Sequence, residues 1–351
     1  MNILKQTVGI DVSMDSFEAR FGTIDTNQEQ SISKSQTFNN DIKGFRRFLK
    51  WALSLRADKS LPLSFVMEVT GVYHENLAYF LHEKAYAVVI VLSNKIRNYA
   101  KSLETKSKTD SIDALTITRF ALERKLTPWS PPEPFIRAIK GLAREYLSLK
   151  TMMTEIKNQI HAKQSANYSD KDIIKRKRRL LNELQKQIDE ILQQIKKHFQ
   201  SKPGLYDKIT KVATIKGIGE ITIIIILAET NCFEHVTNIN QLISYAGLDV
   251  VLNESGKKKG KTTISKRGNK FIRRAMFMPA MSACRSNTEM KETFARLVSR
   301  GINKKAAVIA VARKLLVLIY TLWKNDSVFI RNYKRTKPLN LKPVVCSLQI
   351  A

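Results

Sequence analysis

The sequence predicts an α/β plus α protein in three parts followed by a tail. A mixed sheet with helices is expected over residues 1–126, a coiled-coil helical pair over 135–200, a mainly α domain over 201–325 and a basic tail over 326–351. Three observations predict this division. Strand and helix patterns alternate in the first part, apolar residues repeat at spacings of three and four in the second, and apolar segments flank a glycine turn in the third.

The N-terminal part is expected to form a hairpin and then alternating strands and helices. The segment TVGIDVSMDSFEARFGTID alternates apolar and polar residues around a turn at 13–15, which places Asp11 in the first strand. An amphipathic helix follows, and the apolar runs LSFVMEVTG and AVVIVLSN predict two further strands. A helix over 111–122 closes this part, and the proline-rich TPWSPPEP at 127–134 is expected to form the boundary.

Two series of apolar residues in the second part repeat at heptad spacing, which is typical of packed helices. The first series contains Ile139, Leu142, Tyr146, Leu149, Met153, Ile156 and Ile160. The second contains Leu181, Leu184, Ile188, Ile191 and Ile195. The polar stretch QSANYSD separates them, so two long helices either fold back on each other or pair with a second copy of the chain. Oligomerisation or spacing is favoured over a catalytic role.

The third part begins with KVATIKGIGEITIIIILAET, in which a GIG turn separates two apolar segments. A helix-hairpin-helix uses such a turn to present backbone N–H groups to a phosphate. A tight glycine turn between packed segments is an equally good explanation, and ITIIIIL could also be a buried strand.

Lysine and arginine crowd the stretch NESGKKKGKTTISKRGNKFIRR at 253–274, which contains no acid from Ser255 onward. Solvated charge is the usual explanation for such a run. Here the interleaved glycines and serines favour a loop that approaches a phosphate backbone closely. The predicted nucleic-acid contacts are Lys257, Lys258, Lys259, Lys261, Lys266, Arg267, Lys270, Arg273 and Arg274, together with Lys106 and Lys108 in ETKSKTDSIDA.

Composition favours a nucleic-acid partner. The chain has 351 residues, a formal net charge of +29 and a pI near 10.0, and a polyanion is the natural ligand for such a charge. A membrane partner is not expected, because the most apolar run, at 306–323, is interrupted by Arg313 and Lys314 and predicts a buried core helix. Three scattered cysteines without a CxxC pair predict a reducing compartment and no structural zinc.

Four acids have the setting of metal ligands. Asp11 and Glu68 each lie within an apolar strand pattern, where an uncompensated carboxylate is costly. Asp110 and Asp113 are three positions apart and share one face of the predicted helix. Each has an ordinary alternative: a turn cap for Asp11, a lysine partner for Glu68, and surface charge for the helical pair. Together, two strand acids and a late helical pair match the layout by which a ribonuclease-H-like sheet converges carboxylates on a divalent metal.

Several motifs in their order along the chain resemble the transposases of the insertion sequence 110 family, which includes the Piv-type DNA invertases. The matching pieces are GIDVS with Asp11, MEVTG with Glu68, KTDSIDA with Asp110 and Asp113, and SYAGL followed by ISKRGN. The resemblance covers nearly the whole chain. It implies a RuvC-like DEDD domain, a connecting coiled coil and a second transposase domain.

The resemblance further implies that Asp11, Glu68, Asp110 and Asp113 bind Mg²⁺ or Mn²⁺ and that a serine forms a covalent phosphoserine link to DNA. Ser255 in NESGKKKGK is the expected nucleophile and Ser265 in ISKRGN the alternative, where Ser265 is expected instead to cap a helix. Many relatives place two serines before this glycine, whereas Glu254 precedes Ser255 here.

The expected partners are the DNA of the element ends and target, a structured noncoding guide RNA, and further copies of the chain in a dimer or tetramer. These partners and a prokaryotic cytoplasmic location at the nucleoid follow from the resemblance. Two alternatives predict different behaviour: a RuvC-like structure-specific endonuclease would use water and form no covalent link, and a non-enzymatic nucleic-acid-binding protein would need no metal.

Overall fold

A mixed six-stranded sheet organises the first of two compact units, Met1–Pro131. The computed structural model describes residues 2–330 except 70, 104–109, 169, 235, 252–253, 256–257 and 261, and only the backbone at 254, 258 and 259. The strands are β1 Ile3–Val12, β2 Ser16–Asp25, β3 Gln30–Ile32, β4 Gln36–Asn39, β5 Leu63–Glu68 and β6 Ala87–Val91.

The strand order is β3-β2-β1-β5-β6, and β4 also pairs with β2. β1 and β2 form the expected antiparallel hairpin, which is closed by a hydrogen bond from the Ser13 amide to the Ser16 carbonyl of 2.9 Å. β5 runs parallel to β1, and β6 runs parallel to β5. Parallel neighbours put their carboxyl ends at the same edge, so the ends of β1 and β5 meet there.

Helices cover both faces of this sheet. They are α1 Ile42–Ser54, α2 Glu75–Glu83, α3 Ser93–Ser102 and α4 Asp110–Glu123. Side chains of α1 and α2 pack with Val8, Ile10 and Phe65 on one face. Ile117 of α4 packs with Val66 on the other. The sheet is therefore a buried layer whose two faces have different helical neighbours.

The second unit, Pro132–Ala351, begins with two long helices, α5 Pro134–Ser165 and α6 Lys171–Gln200. They fold back on each other within one chain, because Leu149 and Met153 share an apolar cluster with Leu184 and Ile188. The alternative in which the heptad positions pair with a second copy is thus not the arrangement found. An oligomer remains a prediction, but this seam is already occupied in the chain.

Six further helices and four very short strands complete the second unit. The helices are α7 Pro203–Ala213, α8 Glu220–Thr230, α9 Ile239–Ala246, α10 Lys270–Ser286, α11 Thr288–Ser299 and α12 Lys304–Asn325. The strands are β7 Val250–Val251, β8 Glu254–Ser255, β9 Lys258–Lys259 and β10 Thr263–Ile264. The segment ITIIIIL belongs to α8, so the buried-strand alternative is wrong. Every described residue from Thr222 to Thr230 is buried, and a helix buried on all sides shows no periodicity by which to recognise it.

The long apolar helix α12 lies in the core of this unit. Leu315, Leu316 and Ile319 have no exposed surface and join the same cluster as α8 and α10. By length and composition alone, α12 is the one helix in the described part of the chain that could cross a membrane. Its packing agrees with the core helix expected from the interruption by Arg313 and Lys314.

Candidate functional site

Asp11 and Glu68 lie at the same edge of the sheet, on neighbouring parallel strands. Asp11 is the last residue but one of β1, Glu68 ends β5, and the register pairs Ile10 with Met67 one step before them. Both acidic residues are half-buried. Since side chains alternate along a strand, the two carboxylates lie on the face opposite Ile10 and Met67, which is the face that α4 covers.

Helix α4 runs antiparallel to β1 across that face. Near the start of β1, the Lys5 ammonium donates hydrogen bonds to the carbonyl oxygens of Ala121 and, at 2.7 Å, of Arg124. Near the middle of the strand, Thr118 lies directly over Gly9. The amino end of α4 therefore lies toward the end of β1 that carries the acid.

Spacing along both elements places Asp113 beside Asp11. From Thr118 back to Asp113 the helix rises about 7.5 Å, and from Gly9 to Asp11 the strand advances about 6.6 Å. Asp113 is half-buried, whereas Asp110, nearer the helix start, is exposed. The structure thus brings Asp113 to the edge occupied by the two strand acids and leaves Asp110 at its rim.

The close approach of α4 depends on two glycines in the sheet. A Cβ atom at Gly9 would lie 2.5 Å from the backbone nitrogen of Thr118, and one at Gly22 on the neighbouring strand would lie 2.7 Å from the Cγ2 atom of Thr118. Neither position has room for a side chain without moving the helix backbone. Gly9 of GIDVS is therefore the residue that lets α4 lie against the sheet.

Arg20, which the sequence did not single out, holds the start of α4. It lies opposite Gly9 in the β1–β2 register. Its guanidinium donates to the Ser111 carbonyl at 3.1 Å and to the Ser111 hydroxyl at 2.5 Å. Because Ser111 lies between Asp110 and Asp113, these two bonds fix the first turn of the helix that carries both acids.

The donor set at this edge suits a hard divalent cation, since carboxylate oxygens are the preferred ligands of Mg²⁺. Glu18 adds a further carboxylate, because the register places it directly opposite Asp11 on the same face. Within the described residues, no group of three or more His, Cys, Asp or Glu side chains is yet arranged around one ion position. The backbone brings the acids together, and ion binding by the four remains a prediction.

The basic region of the second unit forms two short hairpins. In the first, Ser255 of β8 pairs with Lys258 of β9, and Ser255 is exposed. In the second, β10 pairs with β7. Of the predicted contacts, Lys106, Lys108, Lys257 and Lys261 lie outside the described residues, and the structure describes only the backbone of Lys258 and Lys259.

Ser265 is held by an aspartate and does not cap a helix. Its hydroxyl donates to the Asp249 carboxylate at 2.5 Å, and its backbone amide donates to the Asp249 carbonyl at 2.9 Å. The N-cap of α10 is Asn269, whose side chain accepts hydrogen bonds from the backbone amides of Phe271 and Ile272. The cap prediction for Ser265 was wrong because Asn269, four positions later, supplies the oxygen at the position where the helix starts.

The remaining predicted cations divide into two groups. Lys266, Arg267 and Lys270 are exposed. Arg273 donates to the Ala246 carbonyl at 2.9 Å, and Arg274 donates to the Leu147 carbonyl at 2.7 Å, so both arginines bind the protein itself.

The glycine turn between α7 and α8 serves packing. Gly217 has a φ of +99°, and a Cβ atom there would lie 2.9 Å from the backbone of Ala283 in α10. Glycine is thus needed both for the backbone conformation and for the contact with α10. These observations favour the packed-turn explanation, and phosphate binding by this turn stays a prediction.

Glu229, near the end of α8, is the most deeply buried acid with a described set of partners. Its carboxylate accepts two bonds from Arg144 of α5, at 2.6 and 3.0 Å, and one from Asn269 at 2.7 Å. Lys140 lies 3.9 Å away. The Tyr245 hydroxyl donates to the Glu229 backbone carbonyl at 2.8 Å. Glu229 therefore joins α5, α8 and α9 to the residue that starts α10.

The ionised form of Glu229 is the stable one. Burial alone would raise the pKa of this carboxyl, but the hydrogen bonds from Arg144 and Asn269 and the charge of Lys140 offset it and lower the pKa below its ordinary 4.5. Sequence reasoning missed Glu229 because all of its side-chain partners are distant in the sequence. The only local signal was one acid in an otherwise apolar segment.

Comparisons with known proteins agree with the order of the motifs. Residues 8–163 match a family model of DEDD type described as an IS110 transposase, and residues 209–295 match a second model described as "Transposase IS116/IS110/IS902 family". The chain is also similar to the "Pilin gene-inverting protein" of Moraxella lacunata, with 28% identity over 332 residues that cover 93% of this chain and 98% of the relative. The protein of the same name from Moraxella bovis is 28% identical over 329 residues, with the same coverage.

Proposed function

The chain belongs to the IS110 family of transposases and is a DNA recombination enzyme, and we propose that it cuts and rejoins DNA through a metal site in the first unit and a serine in the second. The observation that carries this proposal is the meeting of Asp11 and Glu68 at one sheet edge with the start of α4. This arrangement supports a ribonuclease-H-like domain.

Asp11, Glu68, Asp113 and Asp110 would hold Mg²⁺ or Mn²⁺ at this edge. When bound, the metal would neutralise charge on the phosphoryl group during strand exchange. The protein's own residues prepare the site: Gly9 lets α4 approach the sheet, and Arg20 fixes its first turn. The acids are thereby held on rigid elements, as a metal site requires.

Ser255 is the proposed nucleophile. Its hydroxyl oxygen would form a new bond to phosphorus and give up its proton, while the bond from phosphorus to one deoxyribose oxygen breaks and that oxygen leaves as a hydroxyl. One phosphate ester replaces another, so the link to DNA conserves bond energy and the reverse attack can rejoin a strand without an added energy source. The lysine-rich hairpin would supply the cationic surroundings that attack on phosphate demands.

The two candidate serines differ in their surroundings. Ser255 is exposed on a hairpin, where a DNA phosphate can reach it. Ser265 is half-buried, and its hydroxyl is bound to Asp249. The contrast supports Ser255 as the nucleophile and Ser265 as a residue that joins the β10 loop to the β7 loop.

Target choice through a guide RNA and assembly into a dimer or tetramer belong to the same proposal. The basic character of the chain, with a net charge of +29, is consistent with a nucleic-acid partner beyond the DNA substrate. The two relatives are named for inverting a pilin gene. Inversion and transposition share the same strand-exchange chemistry, so the acids and the serine would serve either outcome.

The deciding experiment is a search for a covalent protein–DNA adduct. The protein, purified from cells that also express its flanking noncoding DNA, is incubated with Mg²⁺ and DNA carrying the element ends, and the products are separated on a denaturing gel. An adduct is expected for the wild type and for Ser265→Ala, but not for Ser255→Ala or Asp11→Asn. Sequencing the RNA that copurifies tests the guide.

Cleavage without an adduct would indicate a nuclease that uses water and would overturn the serine assignment. An adduct that persists in Ser255→Ala but disappears in Ser265→Ala would move the nucleophile to Ser265. Activity unchanged in Asp11→Asn would overturn the metal site.

A further inference from the structure

The turn end of the α5–α6 hairpin carries a dense positive charge that the coiled-coil role does not explain. Between residues 157 and 182 the chain has eight Lys or Arg and two Asp or Glu. Five consecutive cations, 175–179, lie in the second turn of α6 and beyond. Four of them, Lys175, Arg176, Arg178 and Arg179, are exposed.

The two acids at this end have helix-starting roles. Asp170 is the N-cap of α6 and accepts hydrogen bonds from the backbone amides of Asp172 and Ile173. Asp172 lies in the first turn, where negative charge favours the helix dipole. In the described part of the chain, no ion pair involves any cation of the 175–179 run.

This end of the hairpin extends beyond the helices that pack on its base. α8 and α10 contact α5 around Ala143 and Leu147, and Arg274 of α10 reaches as far as Thr151. From Thr151 the helix continues to Ser165, a further rise of about 21 Å. The cations therefore lie on an arm with solvent around it.

The arm is held together by its own contacts. Lys177, at the seam position between Ile174 and Leu181, is half-buried and donates to the Gln159 side chain of α5 at 2.6 Å. A polar pair within a seam is a known means of fixing helix register. The exposed cations are thus presented on a paired helix in a defined orientation.

We propose that this arm, defined by the exposed cations Lys175, Arg176, Arg178 and Arg179, binds the phosphate backbone of duplex DNA. The charge is dense and presented on a helix, which fits a regular array of phosphates. A membrane surface fits less well, because the apolar stripe of α6 is buried against α5 and leaves no wide apolar face to enter lipid. Duplex DNA is the occupant chosen because the enzyme acts on DNA.

This binding does not depend on the proposed metal site or on Ser255. It would hold DNA outside the cleavage position and add affinity without sequence preference, since backbone contacts position a duplex and base contacts specify it. The experiment therefore measures binding in EDTA on a duplex that lacks element ends, so that a failure of the catalytic proposal leaves the result interpretable.

The test variant replaces Lys175, Arg176, Arg178 and Arg179 by Gln. Fluorescence anisotropy of the labelled duplex, measured over a range of salt concentrations, gives the slope of log affinity against log salt. The magnitude of that slope falls by about 0.9 for each phosphate that the protein ceases to neutralise, so removal of four cations should lower it by about 3 to 4.

A matched control removes the same charge from another exposed helix surface, with Gln at Lys43, Arg46, Arg47 and Lys50 of α1. A second control exchanges Lys and Arg at the four arm positions, which keeps the charge and should keep the slope. Circular dichroism checks that each variant retains its helices.

A large fall in slope for the arm variant alone, on duplex DNA or on DNA and RNA duplexes alike, supports the proposal. An unchanged slope overturns it. An equal fall in the α1 control would mean that net charge, and not the arm, sets the affinity. A fall seen only on duplex RNA would assign the arm to RNA.

Discussion

Replacement of Glu229 by Gln is the sharpest test of the second unit's architecture. The carboxylate is 1% exposed and accepts two bonds from Arg144 and one from Asn269. Gln keeps the shape and one oxygen acceptor, but it turns an –NH₂ group toward donors of Arg144 or Asn269. The variant should therefore lose charge and at least one hydrogen bond without creating a cavity.

The expected loss of unfolding free energy is about 2–3 kcal/mol. A hydrogen bond to a charged group contributes about 1.5–3 kcal/mol, and breaking a buried ion pair costs about 3–5 kcal/mol. The Arg144 and Lys140 side chains are 45% and 32% exposed, so water restores part of what Gln removes and the lower range applies. For a unit of this size the melting temperature should fall by about 4–12 °C.

The loss should depend on pH in a defined direction. The pKa of Glu229 is lowered in the folded state from its ordinary 4.5. The unfolded chain therefore binds the proton more readily in this range, and the stabilisation is fully present above about pH 4.5. It disappears as the pH falls through the lowered folded pKa, where the protonated acid resembles Gln. The difference between wild type and Glu229→Gln should shrink there.

The assay is thermal unfolding of both proteins between pH 7 and pH 3, with hydrogen exchange followed in peptides of α8 and α10. Peptides of α1, in the first unit, serve as the internal control. Glu220→Gln is the matched variant, because Glu220 lies in the same helix and accepts one bond from the Tyr206 hydroxyl at 2.8 Å. It should lose less than about 1.5 kcal/mol. A Glu229→Gln difference that stays constant across this pH range would refute the role given to the charge.

Two further substitutions test the packing of α4 and the role of Ser265. Gly9→Ala should destabilise the first unit by about 1–3 kcal/mol and abolish DNA cleavage, because the new Cβ displaces Thr118; chemical unfolding should show Gly141→Ala, with nothing within 4 Å, to be more stable by about 0.5–1 kcal/mol. Equal stability of the two alanine variants would contradict the close approach of α4. Asp249→Asn and Ser265→Ala should each cost about 1 kcal/mol, and the double variant should cost no more than either alone, since both remove one half-exposed bond; additive losses would show that the bond is not what stabilises the loop.

Local patterns were sufficient to predict much of the fold. The hairpin around Asp11 followed from alternation and a turn, and Glu68 follows the same alternation at the end of β5. The helix of Asp110 and Asp113 was expected over residues 111–122 and extends over Asp110–Glu123. Each of these predictions rests on period and punctuation within about a dozen residues, which is the range over which such signals act.

Features that depend on distant partners could not be predicted in the same way. The Glu229 bonds with Arg144 and Asn269 join residues 85 and 40 positions apart. The Ser265 bond with Asp249 spans 16 positions. The choice between intrachain and interchain pairing of the heptads also lay outside the pattern, because an apolar seam is the same in both cases.

The acids of a strand-and-helix site reach one edge through residues that carry no charge or a charge of the opposite sign. Asp113 lies beside Asp11 because Gly9 leaves room for the backbone of Thr118, so the glycine of GIDVS is as necessary to the arrangement as the aspartate. Arg20 then fixes the first turn of α4 by two bonds to Ser111. A chain that kept all four acids but lacked Gly9 and Arg20 would retain the donors without their common location, so the acids alone are an incomplete description of the site.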